Sequence, residues 1–165
     1  MRLWCTLTAV AMACALPQAV TDPAPRGLLV RAGEHLLHLQ CAGSGTPVVV
    51  IETGFEDFSF DWVLVQDRVA PTTRVCAYDR AGYAWSQPGP KPRTFDQLNL
   101  ELREALASAG EHGPYVLVGH SYGGLLARLF ARADAKEVGG IVLVDAMVIN
   151  PLIRGPRVLA RPCPS

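Results

Sequence analysis

The chain has 165 residues, is 50% hydrophobic, and balances fifteen Lys and Arg against fifteen Asp and Glu, so it is long enough for one sizeable core and carries no net charge. No long run of either sign occurs, which argues against a nucleic-acid partner or an anionic membrane surface. No internal repeat or long low-complexity segment divides it.

Taken in order, Arg2 precedes an apolar run from Leu3 to Leu16, and Ala13-Cys14-Ala15 offers a small-x-small cleavage site. The run falls short of the roughly 20 apolar residues of a membrane span. The expectation is a signal peptide over residues 1–19, no membrane span, and a secreted or periplasmic protein. Two other readings stay open: an Ala-rich leader without a targeting role, and a lipoprotein box at Ala11-Met-Ala-Cys14. Residues 20–27, with Pro23 and Pro25, read as a linker. Cys5 and Cys14 would leave with the leader, while Cys41, Cys76 and Cys163 remain. No C-x-x-C or Cys/His cluster suggests a metal.

Leu28 to Ala32 and His35 to Cys41 read as strands joined in a hairpin at Gly33-Glu34. Alternation puts His35 and His38 on opposite faces, as ordinary strand histidines. Gly43-Ser44-Gly45 is a turn and not a phosphate loop, because a strand follows without a Lys-Ser/Thr signature, and no cofactor is expected. Pro47 to Ile51 has the β-branched pattern of a strand buried on both faces. A helix is expected over Phe60–Val69, stopped by Pro71, and a short strand over Arg74–Ala77. Trp85 in the following loop has two readings, pocket lining or packing. After the breakers from Pro88 to Pro92, Thr94 and Gln97 suggest a capping box. Phe95, Leu98, Leu102 and Leu106 then repeat at helical spacing as core contacts.

The stretch from Tyr115 to Leu129 starts as an apolar strand and ends as a helix. Gly119-His120-Ser121-Tyr122-Gly123 sits at the junction and matches the G-x-S-x-G nucleophile elbow. A serine hydroxyl projects from a sheet edge only if a tight turn carries it, and such a turn needs small neighbours. The helix N-terminus then aims free N–H groups where negative charge would develop. The plainer alternative is a Gly-rich turn whose serine caps the helix. Leu125, Leu126, Leu129 and Phe130 give that helix its buried face, and Val138 to Asp145 is a further strand.

With Val48 to Phe55 and Tyr78 to Ser86 before it and Ile141 to Ala146 after it, this junction resembles an α/β-hydrolase over about Leu28 to Ala146. The fold class expected is α/β, a mostly parallel sheet with helices on both faces. Residues 28–149 would form a partial domain of about six strands, where the family sheet has roughly eight. The resemblance implies Ser121 as nucleophile, Gly119 and Gly123 as the elbow glycines, and a small-molecule ester or amide as substrate. It implies an oxyanion hole from the N–H groups of Phe55 and Tyr122, with Thr53-Gly54-Phe55 standing where the family usually has His-Gly. Asp79, Arg80 and Gly82 would hold the loop after the fourth strand, and Ala84 departs from the family's second glycine. The second and fourth strands are neighbours in that fold, so Cys41 and Cys76 are candidates for a disulfide. The alternatives are two separate thiols, or sulfurs at opposite ends of antiparallel strands.

The difficulty is the base. Family order is Ser, then Asp/Glu, then His, yet His35, His38, His112 and His120 all precede Ser121. No catalytic histidine is identified. Asp145 stands where some relatives place the acid, with a structural role as the alternative. Asn150 to Ser165, with four prolines and three arginines, is an irregular tail. The expectation is a truncated chain, a splice end or a frameshift product, weakly active or inactive, with its last strand exposed for self-association. Two alternatives to a serine hydrolase stay open: a non-catalytic binding or regulatory protein, and a peptidase resembling proline iminopeptidase.

Overall fold

The computed structural model describes residues 25–147. The expected signal peptide, most of the linker, and the tail lie outside the described residues. β1 (Leu28–Ala32) and β2 (His35–Ala42) form the antiparallel hairpin, turned by Gly33 at φ 63°. β3 (Val48–Glu52) follows, then a 3₁₀ turn at Ser59–Trp62 that runs into α1 (Val63–Val69). The single helix expected from Phe60 therefore opens as a tighter turn, closed by Asp61 Oδ2 accepting from the Phe58 N–H at 2.8 Å. β4 (Val75–Tyr78), α2 (Phe95–Ser108), β5 (Tyr115–His120), α3 (Tyr122–Ala133) and β6 (Val138–Val144) complete the order.

Among the described residues, six strands lie in the order β1-β2-β4-β3-β5-β6. β3 pairs parallel with β4 and β5, and β5 with β6, while β2 is antiparallel to β1 and β4. Parallel neighbours need crossovers, and α1, α2 and α3 supply them. Alternation along β3 fills two cores. Val48 and Val50 join Leu102, Leu106, Leu117 and Phe130 on one face, and Val49 and Ile51 join Trp62 and Val69 on the other. The fold is an α/β sheet covered by helices on both faces. Truncating Leu102 or Leu106, both fully buried, would cost about 2–5 kcal/mol.

α2 begins at Thr94, whose Oγ1 accepts from Gln97 N at 3.2 Å. Only that half of the capping box forms, because the Gln97 amide reaches Glu101 at 3.1 Å instead. Phe95 is 43% exposed and does not join the core, because its ring turns toward Tyr122, with centroids 6.0 Å apart. The register sets Cys41 opposite Cys76, with Cα atoms 4.1 Å apart and the sulfurs bonded. Register also sets Glu52 at the end of β3 beside Gly119 of β5. The carboxyl ends of the central strands thus converge on one edge, where open α/β sheets place their ligands.

Candidate active site

Ser121 occupies the turn between β5 and α3 at φ 48° and ψ −116°. A side chain held there costs of order 1–3 kcal/mol and persists only where the surroundings fix it. Here the Ser121 N–H donates to the Val144 carbonyl at 3.2 Å, and its own carbonyl accepts from Met147 N at 2.8 Å. The flanking glycines permit the close approach. A Cβ on Gly123 would fall 2.1 Å from the Glu52 carbonyl oxygen, and one on Gly119 would fall 2.5 Å from Gly124 Cα. The Ser121 side chain makes no capping bond to α3, which rules out the reading of a helix-capping serine.

Beside this turn, the loop leaving β3 is held from two sides. Arg80 Nη1 donates to the Thr53 carbonyl at 2.8 Å, and Nη2 donates to the Gly54 carbonyl. From the other side, Asp57 Oδ2 accepts from Gly54 N at 3.0 Å and lies 2.9 Å from His120 Nδ1. The Phe55 and Tyr122 N–H groups find no acceptor among the described residues, and their rings meet edge-on with centroids 5.8 Å apart. Phe55 itself is exposed.

Under the turn sits a buried polar group. Glu52 is fully buried and accepts from the Tyr78 hydroxyl at 2.9 Å, while its other carboxylate oxygen has no partner among the described residues. Burial pushes the Glu52 carboxyl up from 4.5 to about 7, against the opposing pull of Arg80 and the Tyr78 hydrogen bond. Burial, then the Glu52 charge, push the Tyr78 phenol well above its ordinary value. The Arg80 guanidinium lies 5.3 Å from the Tyr83 ring centre and 5.5 Å from that of Tyr122. Burial also raises the Tyr122 phenol, so Tyr122 stays neutral at ordinary pH.

None of the histidines hydrogen-bonds Ser121. His38 has the partners of a triad in the wrong geometry: Asp79 Oδ2 at 2.9 Å and Ser59 Oγ at 3.3 Å both meet Nδ1, and Nε2 faces the Arg26 carbonyl at 2.6 Å. His35 lies 3.5 Å from Glu101, and His112 is exposed ahead of β5. His120 turns to Asp57. Asp145 follows β6, exposed and at φ 41°, and forms no ion pair with a histidine among the described residues. Trp85 packs 5.0 Å from His38, which favours its packing role. Cys41, Cys76 and Glu111 bring ligand atoms within 4.8 Å of one another, but the sulfurs are bonded to each other and Glu111 holds Arg74 at 2.6 Å.

A cavity of about 340 Å³ opens beside the turn, bounded by Phe55, Tyr122, Tyr83, Arg80, Lys91 and Arg93 among others. Sequence reasoning missed Glu52 and Asp57, the partner of His120. Only Glu52 left a visible signal, a carboxylate ending the apolar run Val48-Val49-Val50-Ile51.

A model of the alpha/beta hydrolase family matches residues 36–165, and the chain belongs to that family. An uncharacterised protein of Schizosaccharomyces pombe is 40% identical over 107 residues, which are 65% of this chain and 19% of that protein. Lipase LipV of Mycobacterium tuberculosis is 33% identical over 113 residues, 68% of this chain and 42% of the lipase. Among solved structures, an alpha/beta hydrolase from Novosphingobium aromaticivorans superposes with a TM-score of 0.59 at 27% identity, over 66% of this chain and 39% of its own. An esterase from Exiguobacterium antarcticum gives a TM-score of 0.65 at 20% identity, over 73% of this chain and 45% of its own, a likeness of fold alone. The chain spans less than half the length of each of these proteins.

Proposed function

We propose that this chain carries the nucleophile side of a serine hydrolase acting on a small ester or amide, with Ser121 attacking the carbonyl. The observation that supports this most is the Ser121 backbone, at φ 48° between β5 and α3. The side chain makes no capping bond, and the conformation fits an elbow that lifts the hydroxyl to the strand ends. The Phe55 and Tyr122 N–H groups fit the oxyanion donors of such a site, and each such donor is worth about 3–4 kcal/mol of transition-state stabilisation. Arg80 and the Asp57–His120 pair then position the donor loop. The family's lipase and esterase members agree with this chemistry.

No described residue serves as the base, so Ser121 in this chain is a weak nucleophile. Turnover would rest on the elbow and oxyanion donors, about 10³–10⁴-fold over water. That same gap is what favours the second reading, a non-catalytic binding or regulatory protein. The disulfide supports a secreted or periplasmic location. The apolar side chains of β6, Ile141 to Val144, are 38–49% exposed, which supports self-association at that edge. The test is 4-nitrophenyl ester turnover by the whole chain beside Ser121→Ala. Weak turnover that vanishes in the variant supports the hydrolase reading, and turnover that persists in the variant contradicts it.

A further inference from the structure

We infer that the cavity beside Phe55 and Tyr122 binds a carboxylate, so that the ester or amide presented to Ser121 is a half-ester or half-amide of a dicarboxylic acid. The inference rests on the hydrolase reading and adds the substrate class to it. The cavity wall carries three cationic side chains, Arg80, Lys91 and Arg93, and no acidic one. Their neutralisation differs. Arg93 is satisfied by Glu101, with Nη2 donating to Oε2 at 2.7 Å. Arg80 has no such partner: its bonds go to the uncharged Thr53 and Gly54 carbonyls and the Thr53 hydroxyl, and no acceptor among the described residues takes its Nε–H. Glu52 is close enough for its charge to be felt by Arg80, but burial keeps much of it protonated near neutral pH. Lys91 is exposed at the rim and forms no ion pair among the described residues.

A guanidinium that is 4% exposed, stacked against two tyrosine rings and left without a carboxylate, is a costly arrangement unless something negative visits it. A carboxylate entering the cavity would complete the charge balance, with Lys91 closing over it. Tyr122 and Phe55 line the same cavity, so the acid end would lie beside the oxyanion donors. The chain length between the two carbonyls is therefore short. Charge-assisted hydrogen bonds of this kind are worth about 1.5–3 kcal/mol, roughly tenfold or more in rate.

The experiment compares Ser121 acylation of the whole chain by the mono-4-nitrophenyl ester of glutaric acid and by 4-nitrophenyl butyrate. Adducts are read by intact mass, corrected for spontaneous hydrolysis and for labelling of Ser121→Ala. The expected result is acylation about tenfold or more faster with the acidic ester, a ratio that falls in Lys91→Gln and inverts in Lys91→Glu. Lys91 lies at the surface, so both variants should fold, which circular dichroism checks. Equal acylation by the two esters, or a ratio unmoved by Lys91→Glu, overturns the carboxylate site and leaves the hydrolase reading standing. Absence of an adduct on Ser121 with either ester overturns both.

Discussion

Two His–Asp pairs among the described residues share one distance, 2.9 Å from Nδ1 to a carboxylate oxygen, and differ in everything around it. His38 and Asp79 are sealed, with side chains 1% and 0% exposed, whereas His120 and Asp57 are 35% and 33% exposed. The first pair has a serine at hand and still has no catalytic geometry, because its Nε2 is spent on a backbone carbonyl. A triad needs that nitrogen free to face the hydroxyl while the acid orients the other. His120 of the second pair sits next to Ser121 in sequence, yet the pair fastens the loop after β3 through Gly54. Residue types alone therefore define neither pair. What each does follows from where its second nitrogen and its carboxylate point.

The comparison breaks most readily at Asp79. Asp79→Ala strands the Ser59 N–H, donated at 2.7 Å, and the His38 ring inside the protein. The expected loss is about 3–5 kcal/mol, read by urea unfolding. A loss below about 1 kcal/mol would mean that the sealed pair is not structural.

The disulfide sharpens the same point, since Cys41 and Cys76 join the two strands that lead to His38 and Asp79. For a loop of sequence separation 35, replacing both cysteines by serine should cost about 3–4 kcal/mol. Combined with Asp79→Ala, the two losses should fail to add, because they act on one strand pair.

Glu52 offers a pH test of the buried side. Its folded carboxyl titrates near 7 against 4.5 in the unfolded chain, so between those values the folded state holds a proton that the unfolded state has released. Stability contributed by this group therefore falls as pH rises from 4.5 to about 7, by about 3 kcal/mol in all. Glu52→Gln lacks that proton exchange. Its stability relative to the parent should rise by most of this amount between pH 5 and pH 8, and parallel stability curves would refute the assignment.

The exposed pair should give the smallest stability effect. Asp57→Asn is expected to cost about 1 kcal/mol or less, because solvent reaches both partners. Its effect should appear in reactivity, through a looser Gly54 loop and slower acylation of Ser121. A loss as large as that of Asp79→Ala would erase the distinction between the pairs.

Much of this architecture was legible from residue patterns with local causes. The β-branched run before Glu52, the Gly33-Glu34 turn and the Gly119 to Gly123 junction each carry their geometry within a few residues. Phe95 misled because helical periodicity identifies a face without saying which neighbour its first residue meets, here Tyr122 and not the core. His38 looked like an ordinary strand histidine because Ser59 and Asp79, the partners of its Nδ1, are 21 and 41 residues away, and only the strand order β2-β4 brings Asp79 to it. Asp57 was silent for the same reason, Glu52 showed only as a carboxylate ending an apolar run, and Arg80 read as a brace of its own loop whereas it holds the loop after β3. Their meaning lies in contacts between three different strand ends, which no local spacing encodes.

The central claim is that Ser121 is the reactive group of the strand-end site. A fluorophosphonate probe incubated with the whole chain, followed by peptide mapping, tests it directly. The expected result is slow addition of one phosphonyl group at Ser121, absent in Ser121→Ala. Labelling that lands on another residue, or that continues undiminished in Ser121→Ala, would contradict it.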